Sequence, residues 1–159
     1  MNGNLNIRLH DLEYEKTGLS IDMSYCCQAS TVSVKLNTPF GVIDACPKTG
    51  FNCDLYIIYI NDMISAIKSG FKKKSQIIWA RPVDDLFCIK IDAGLNGEGY
   101  KKDLFLFTME LDVVGLLDPG TSAGDIIRFS FFQNKKNIEE LVKFFRDVKK
   151  AKKPNEYNF

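Results

Sequence analysis

Apolar and polar residues alternate with a period of two along most of this chain, and the period lengthens once, near the C-terminal end. Leu5, Ile7 and Leu9, then Leu19, Ile21, Met23 and Tyr25, then Val32, Val34 and Leu36 are each separated by single polar positions. This predicts antiparallel strands with one wet face. Leu12 to Lys16 can form a further short strand before a Thr17-Gly18 turn, and Pro39, Gly41, Pro47 and Gly50 punctuate a less regular stretch. Leu55 to Ile60 is a continuous apolar run that suits either a buried strand or the lead-in to a helix. Asn61-Asp62 then precedes Met63, Ile64 and Ile67, with Gly70 beyond them, predicting a short helix near residues 61–69. Gln76 to Arg81 and Leu86 to Ile91 flank Pro82-Val83-Asp84-Asp85 and read as a hairpin. Gly94 to Gly99 is a connection into a long strand from Tyr100 to Asp112, where Phe105, Phe107, Met109 and Leu111 form the face expected in the core.

Asp125 to Phe132 is the strand that feeds the one long helix. Gln133 to Asn137 reads as a turn, after which Ile138, Leu141, Val142, Phe145 and Val148 share a helical face. Asn137 is the expected N-cap, Glu140 its capping-box partner, and Lys149, Lys150, Lys152 and Lys153 lie where the helix dipole is negative. Phe144, one step around, is expected to be less buried than Phe145. The fold class is therefore α+β, a twisted antiparallel sheet of about six to eight strands with a long C-terminal helix on one face and a short helix near residues 61–69.

The length of 159 residues and a hydrophobic content of 45% suit one domain, residues 1–159, with 153–159 as a loose tail. No internal repeat interrupts it. A net charge of +1 argues against a generic polyanion binder. No apolar run resembles a signal peptide or a membrane span, so a cytoplasmic location is expected. The five cysteines, Cys26, Cys27, Cys46, Cys53 and Cys88, are odd in number and poorly spaced for disulfides or zinc. Reduced thiols, no metal and no cofactor are the expectation.

Candidate chemistry is sparse. The single histidine, His10, precedes Asp11 and reads as a strand-end surface residue. Cys88, between Phe87 and Ile89, is expected in an apolar setting. Gly94 to Gly99 lacks the following lysine and helix of a phosphate loop. Asp84-Asp85 lies in a turn and Glu110 with Asp112 near a strand end, so neither pair is expected to have the burial that separates two carboxyl pKa values. Lysines 72–74, 101–102, 135–136 and those of the tail form a nucleic-acid footprint only if they converge in space, and turns or helix ends explain each cluster singly. An enzyme is not expected. The alternatives are a nucleic-acid-binding adaptor and a hydrolase whose site lacks a recognisable motif.

The segments Cys53 to Ile67, Ile77 to Ile89, Phe105 to Leu111, Phe129 to Phe132 and Ile138 to Phe145 together resemble the WapI-like family of bacterial immunity proteins and its relatives. The resemblance spans about two-thirds of the chain, from residue 53 onward, and rests on apolar and aromatic positions with one Arg81-Pro82 pair. The basic tail and the amino-terminal third have no counterpart in it. It implies a non-enzyme that neutralises a cognate polymorphic or contact-dependent toxin by direct binding. Toxins acting on nucleic acid are usually basic, so carboxylates are the expected means of engaging one. Glu13, Glu15, Arg81, Asp84 and Asp85, where charge and backbone freedom are not spent on the core, are the candidate partner-binding residues.

Overall fold

A computed structural model describes residues 4–12, 18–26, 31–45, 61, 64, 65, 68, 78–80, 87–92, 104–112 and 126–151. These form eight strands and one long helix: β1 (Leu5–His10), β2 (Ser20–Cys26), β3 (Thr31–Thr38), β4 (Gly41–Ala45), β5 (Ile78–Ala80), β6 (Phe87–Asp92), β7 (Leu104–Asp112), β8 (Ile126–Asn134) and a C-terminal helix, Lys135–Ala151. Of the stretch 61–69, Asn61, Ile64, Ser65 and Lys68 are described and helical.

The class is α+β and every strand pairing is antiparallel, but the strands divide into two four-stranded meanders, β1-β2-β3-β4 and β5-β6-β7-β8, where a single sheet was expected. Each meander carries its alternation inward. Leu9, Ile21, Met23, Tyr25, Val34 and Leu36 from the first sheet meet Ile89, Ile91, Phe107, Met109, Leu111 and Phe131 from the second in one core. The expected inner face of β7 is thus confirmed. The register Ile91–Phe107–Phe131 stacks apolar side chains across three strands, with the two rings 5.2 Å apart.

The sheets meet where β1 ends against β8, each being an edge strand of its own sheet. The Leu12 amide donates to the Phe132 carbonyl at 3.1 Å, and beyond it side chains replace backbone pairing. The Phe132 amide donates to Asp11 Oδ1 at 3.4 Å, and the buried Gln133 amide group donates to the carbonyls of His10 and Phe132. Strand directions rotate by roughly 20–25° per neighbour, so two four-stranded sheets each accumulate less twist than one sheet of eight.

The helix closes the core over both sheets. Ile138, Leu141, Val142, Phe145 and Val148 are buried as expected, and Phe144 is buried with them. Its start differs from expectation. β8 passes into the helix without an intervening turn, and Asn134 is the N-cap, its Oδ1 accepting from the Asn137 amide at 2.9 Å. Asn137 sits three positions on, and its Nδ2 donates back to Gln133 Oε1 at 2.9 Å. Lys135 and Lys136 carry no sign of a helical face, so periodicity first registers the helix at Ile138.

Candidate functional site

The side of the first sheet turned away from the core carries a cross-strand row of alternating charge. Register places Arg8 beside Asp22, Asp22 beside Lys35, and Lys35 beside Asp44. Arg8 Nη2 donates to Asp22 Oδ2 at 2.6 Å, with its Nε on the other carboxylate oxygen, and Lys35 Nζ lies 3.0 Å from Asp44 Oδ2. The Arg8 hydrogen bonds, aided by the Asn37 amide, hold the Asp22 carboxyl below its ordinary value against the cost of partial burial. Asn37 also donates to Ser20 Oγ at 3.0 Å, and the Ser24 and Ser33 hydroxyls bond each other. Asn6, Arg8, Asp22, Ser24 and Lys35 line an open concavity of about 560 Å³ with Ile7 and Met23.

This face ends at the β3–β4 hairpin. Thr38 Oγ1 ties the turn, accepting from the Phe40 amide at 3.2 Å and donating to the Gly41 carbonyl at 2.8 Å. Gly41 has φ +140°, a conformation that side-chain-bearing residues rarely adopt. Phe40 is 99% exposed and Val42 62%, with Ile43 also exposed. Register puts Val42 beside Asn37 on the charged face and Ile43 beside Leu36 on the core side. Alternation does not register β4 in the sequence, because adjacent Val42 and Ile43 between Pro39 and Asp44 do not alternate. Neighbouring exposed large apolar residues at a hairpin tip were the available signal.

The outer side of the second sheet holds a different cluster. Glu110 is buried, and its Oε1 accepts from Lys90 Nζ at 2.6 Å and from Arg128 Nε at 2.7 Å. Burial pushes its carboxyl up, but the two cations outweigh it and hold the pKa below the ordinary 4.5. The expectation that Glu110 lacks a buried setting is therefore corrected. Alternation alone assigns it to a wet face. Cys88 is buried as expected, on the side opposite Ile89 and in register with Glu110. Thr108 and Ser130 bond each other at 2.8 Å on the same face.

Glu13, Glu15, Arg81, Asp84 and Asp85 lie outside the described residues, as do Cys27, Cys46, Cys53, the 94–99 loop and lysines 72–74, 101–102 and 152–153. His10 is exposed, and among the described residues no hydrogen bond joins it to its register neighbour Ser20. Asp11 is committed to the Phe132 amide. The lysine pairs at the two ends of the helix do not converge. Lys135 and Lys136 begin the helix and Lys149 and Lys150 end it, about 20 Å apart at 1.5 Å per residue. Lys135 lies near Glu139, Lys150 near Asp147, and Lys149 donates to Asn61 Oδ1 at 2.7 Å. Among the described residues no group of three or more His, Cys, Asp or Glu side chains is placed to hold a metal ion. No described helix is long and apolar enough to cross a membrane. No protein-family model, curated protein or solved structure matches the chain.

Proposed function

We propose that this chain is a non-enzymatic, immunity-type protein that neutralises a cognate bacterial polymorphic or contact-dependent toxin by binding it in the cytoplasm. The β3–β4 hairpin and the adjoining charged face of the first sheet form the contact surface. The observation that carries the reading is the exposure of Phe40, Val42 and Ile43 together on one hairpin. Phe40 at the tip and Val42 on the charged face, rimmed by charge, have the composition of an interface centre, where aromatic anchors dominate affinity. Arg8, Asp22, Lys35 and Asp44 lie beside it in fixed register and supply the polar rim. Glu13, Glu15, Arg81, Asp84 and Asp85 are proposed as a further, charge-selecting part of the same recognition, on the strength of their charge and of the turn composition around them.

The test is co-expression with the toxin domain encoded beside this gene, together with affinity measured on the purified pair. Phe40→Ala leaves folding untouched because its ring contributes nothing to the core. It is expected to weaken binding by about 2 kcal/mol or more and to abolish protection of growing cells. Reversing Glu13, Glu15, Asp84 and Asp85 to lysine tests the carboxylates separately. Wild-type affinity and full protection in both variants refute the proposed surface, and an absence of binding by the unaltered chain refutes the function.

A further inference from the structure

We infer that Arg128 is a second recognition point, an arginine held ready by Glu110 to take a carboxylate of an acidic peptide segment on a binding partner. The inference concerns the second sheet and does not depend on the hairpin surface. Arg128 is on the outer face of the edge strand β8, and its side chain is 60% exposed. Glu110, opposite it in register, is almost wholly enclosed. Nε and Nη2 of Arg128 each lie 2.7 Å from Glu110 Oε1, so one edge of the guanidinium is fixed. A guanidinium has five N–H donors. Those on Nη1 and the remaining one on Nη2 have no partner among the described residues, and together they form the fork that grips a carboxylate through two parallel bonds.

The surroundings select the ligand. Ile126 and Ser130 flank Arg128 along the same face, and all three are exposed, which joins an apolar contact to the charged one, the Ser130 hydroxyl being bonded to Thr108. A partner's carboxylate also enters a site whose ordering cost is already met, because Glu110 has immobilised the arginine before binding. Asp112 stands in register with Ile126 and, with Glu110, tempers the local positive potential. A singly charged carboxylate suits that balance better than a dianionic phosphate, for which Lys90 and Arg128, already offset by Glu110 and Asp112, are a weak host.

Glu110 is then a positioning residue, and neutralising it separates positioning from simple attraction. Glu110→Gln removes a negative charge, so general electrostatic attraction predicts tighter binding of an acidic peptide, whereas loss of positioning predicts weaker binding. The probe is a fluorescein-labelled octaglutamate peptide, titrated against the full chain by fluorescence polarisation at low ionic strength, with the Arg128 Nε–H resonance followed in parallel. Arg128→Lys keeps the charge and loses the fork, and its exposed position leaves folding intact. The expected result is binding about tenfold weaker for Arg128→Lys and weaker also for Glu110→Gln, with the Nε–H resonance of the unaltered chain shifting on titration. Tighter or unchanged binding by Glu110→Gln, wild-type binding by Arg128→Lys, an unshifted resonance, or equal Arg128-dependent capture of a labelled oligonucleotide overturns the inference. If Glu110→Gln fails to fold, Arg128→Lys and the resonance decide it.

Discussion

Truncating the paired rings of the C-terminal helix tests how widely that helix is enclosed. Phe145 has 0% of its surface exposed and Phe144 5%, and their rings meet edge to face with centroids 5.4 Å apart. A narrow helical stripe includes Phe145 and leaves Phe144 a step outside. The helix instead shares its core with both sheets, and a correspondingly wider arc of its surface is covered. Phe145→Ala removes a fully enclosed ring and leaves a cavity, a loss of about 3–5 kcal/mol. Phe144→Ala belongs to the same class, at the lower end of that range. The edge-to-face contact contributes about 0.5–1.5 kcal/mol of its own, so the double variant should lose less than the sum of the singles by about that amount. Urea unfolding of the parent, both single variants and the double variant measures all four corners, provided the denaturant dependence keeps its slope. A Phe144→Ala variant within about 0.5 kcal/mol of the parent refutes the wide enclosure. Strict additivity in the double variant refutes the ring contact.

Asn134→Ala should cost about 1 kcal/mol by removing the acceptor that caps the Asn137 amide, whereas Glu140→Ala at the position first expected for a capping partner should be nearly neutral in the same melting series. Gln133→Leu fills the volume of the buried amide but leaves the His10 carbonyl and the Asn137 side chain without their bonds, for a loss of about 1–3 kcal/mol, and a neutral result shows that the junction of the sheets does not depend on it. The folded pKa of Glu110 lies below its unfolded value, so its contribution is fully present above the ordinary 4.5 and is lost as pH falls through that value toward the lower folded one. Unfolding free energy followed from pH 7 to pH 3 should therefore decline less in Glu110→Gln than in the parent, and parallel declines contradict the assignment.

The parts of the fold legible in the sequence are those with a local period. The strands β1 to β3, the core face of β7, the antiparallel pairing of β5 with β6 and the buried stripe of the helix all follow from residues within a few positions of one another. The division into two sheets does not, because β1 and β8 are 121 residues apart at the Asp11–Phe132 bond. The residues that make the junction, Asp11 and Gln133, look like ordinary polar strand ends in the sequence. Only tertiary contact makes them buried partners of backbone groups. Glu110 hides for a related reason, since alternation assigns it to solvent and reveals nothing of what covers the outer side of β7. Asparagine occupies both 134 and 137, and only the bond from the Asn137 amide to Asn134 Oδ1 distinguishes the N-cap three residues before the one the sequence predicts. The acidic partner candidates drew on charge and turn composition, which do not report whether separate segments share a face. The hairpin tip was readable only as a break in pattern.

Ionic strength distinguishes the sources of affinity that these surfaces offer. On the first sheet Arg8 pairs with Asp22 and Lys35 with Asp44, so the charged row is balanced and exerts little net pull at a distance. Binding through the hairpin would then rest on burying Phe40 and Val42, and added salt does not weaken apolar burial. Raising sodium chloride from 50 to 500 mM shortens the screening length from roughly 14 to 4 Å. Over that range the affinity for the proposed toxin partner should change by less than about threefold if the hairpin dominates, because the charges it leaves to screen already compensate one another. A contact dominated by Glu13, Glu15, Asp84 and Asp85 behaves differently, since long-range attraction to a basic partner speeds encounter at low salt and collapses when screened. Measuring association and dissociation rates separately sharpens the comparison: hairpin dominance places the Phe40→Ala effect in dissociation, and carboxylate dominance places the salt effect in association. A fall in association of more than about tenfold with salt, in parent and Phe40→Ala alike, would transfer the principal recognition from the hairpin to the acidic segments.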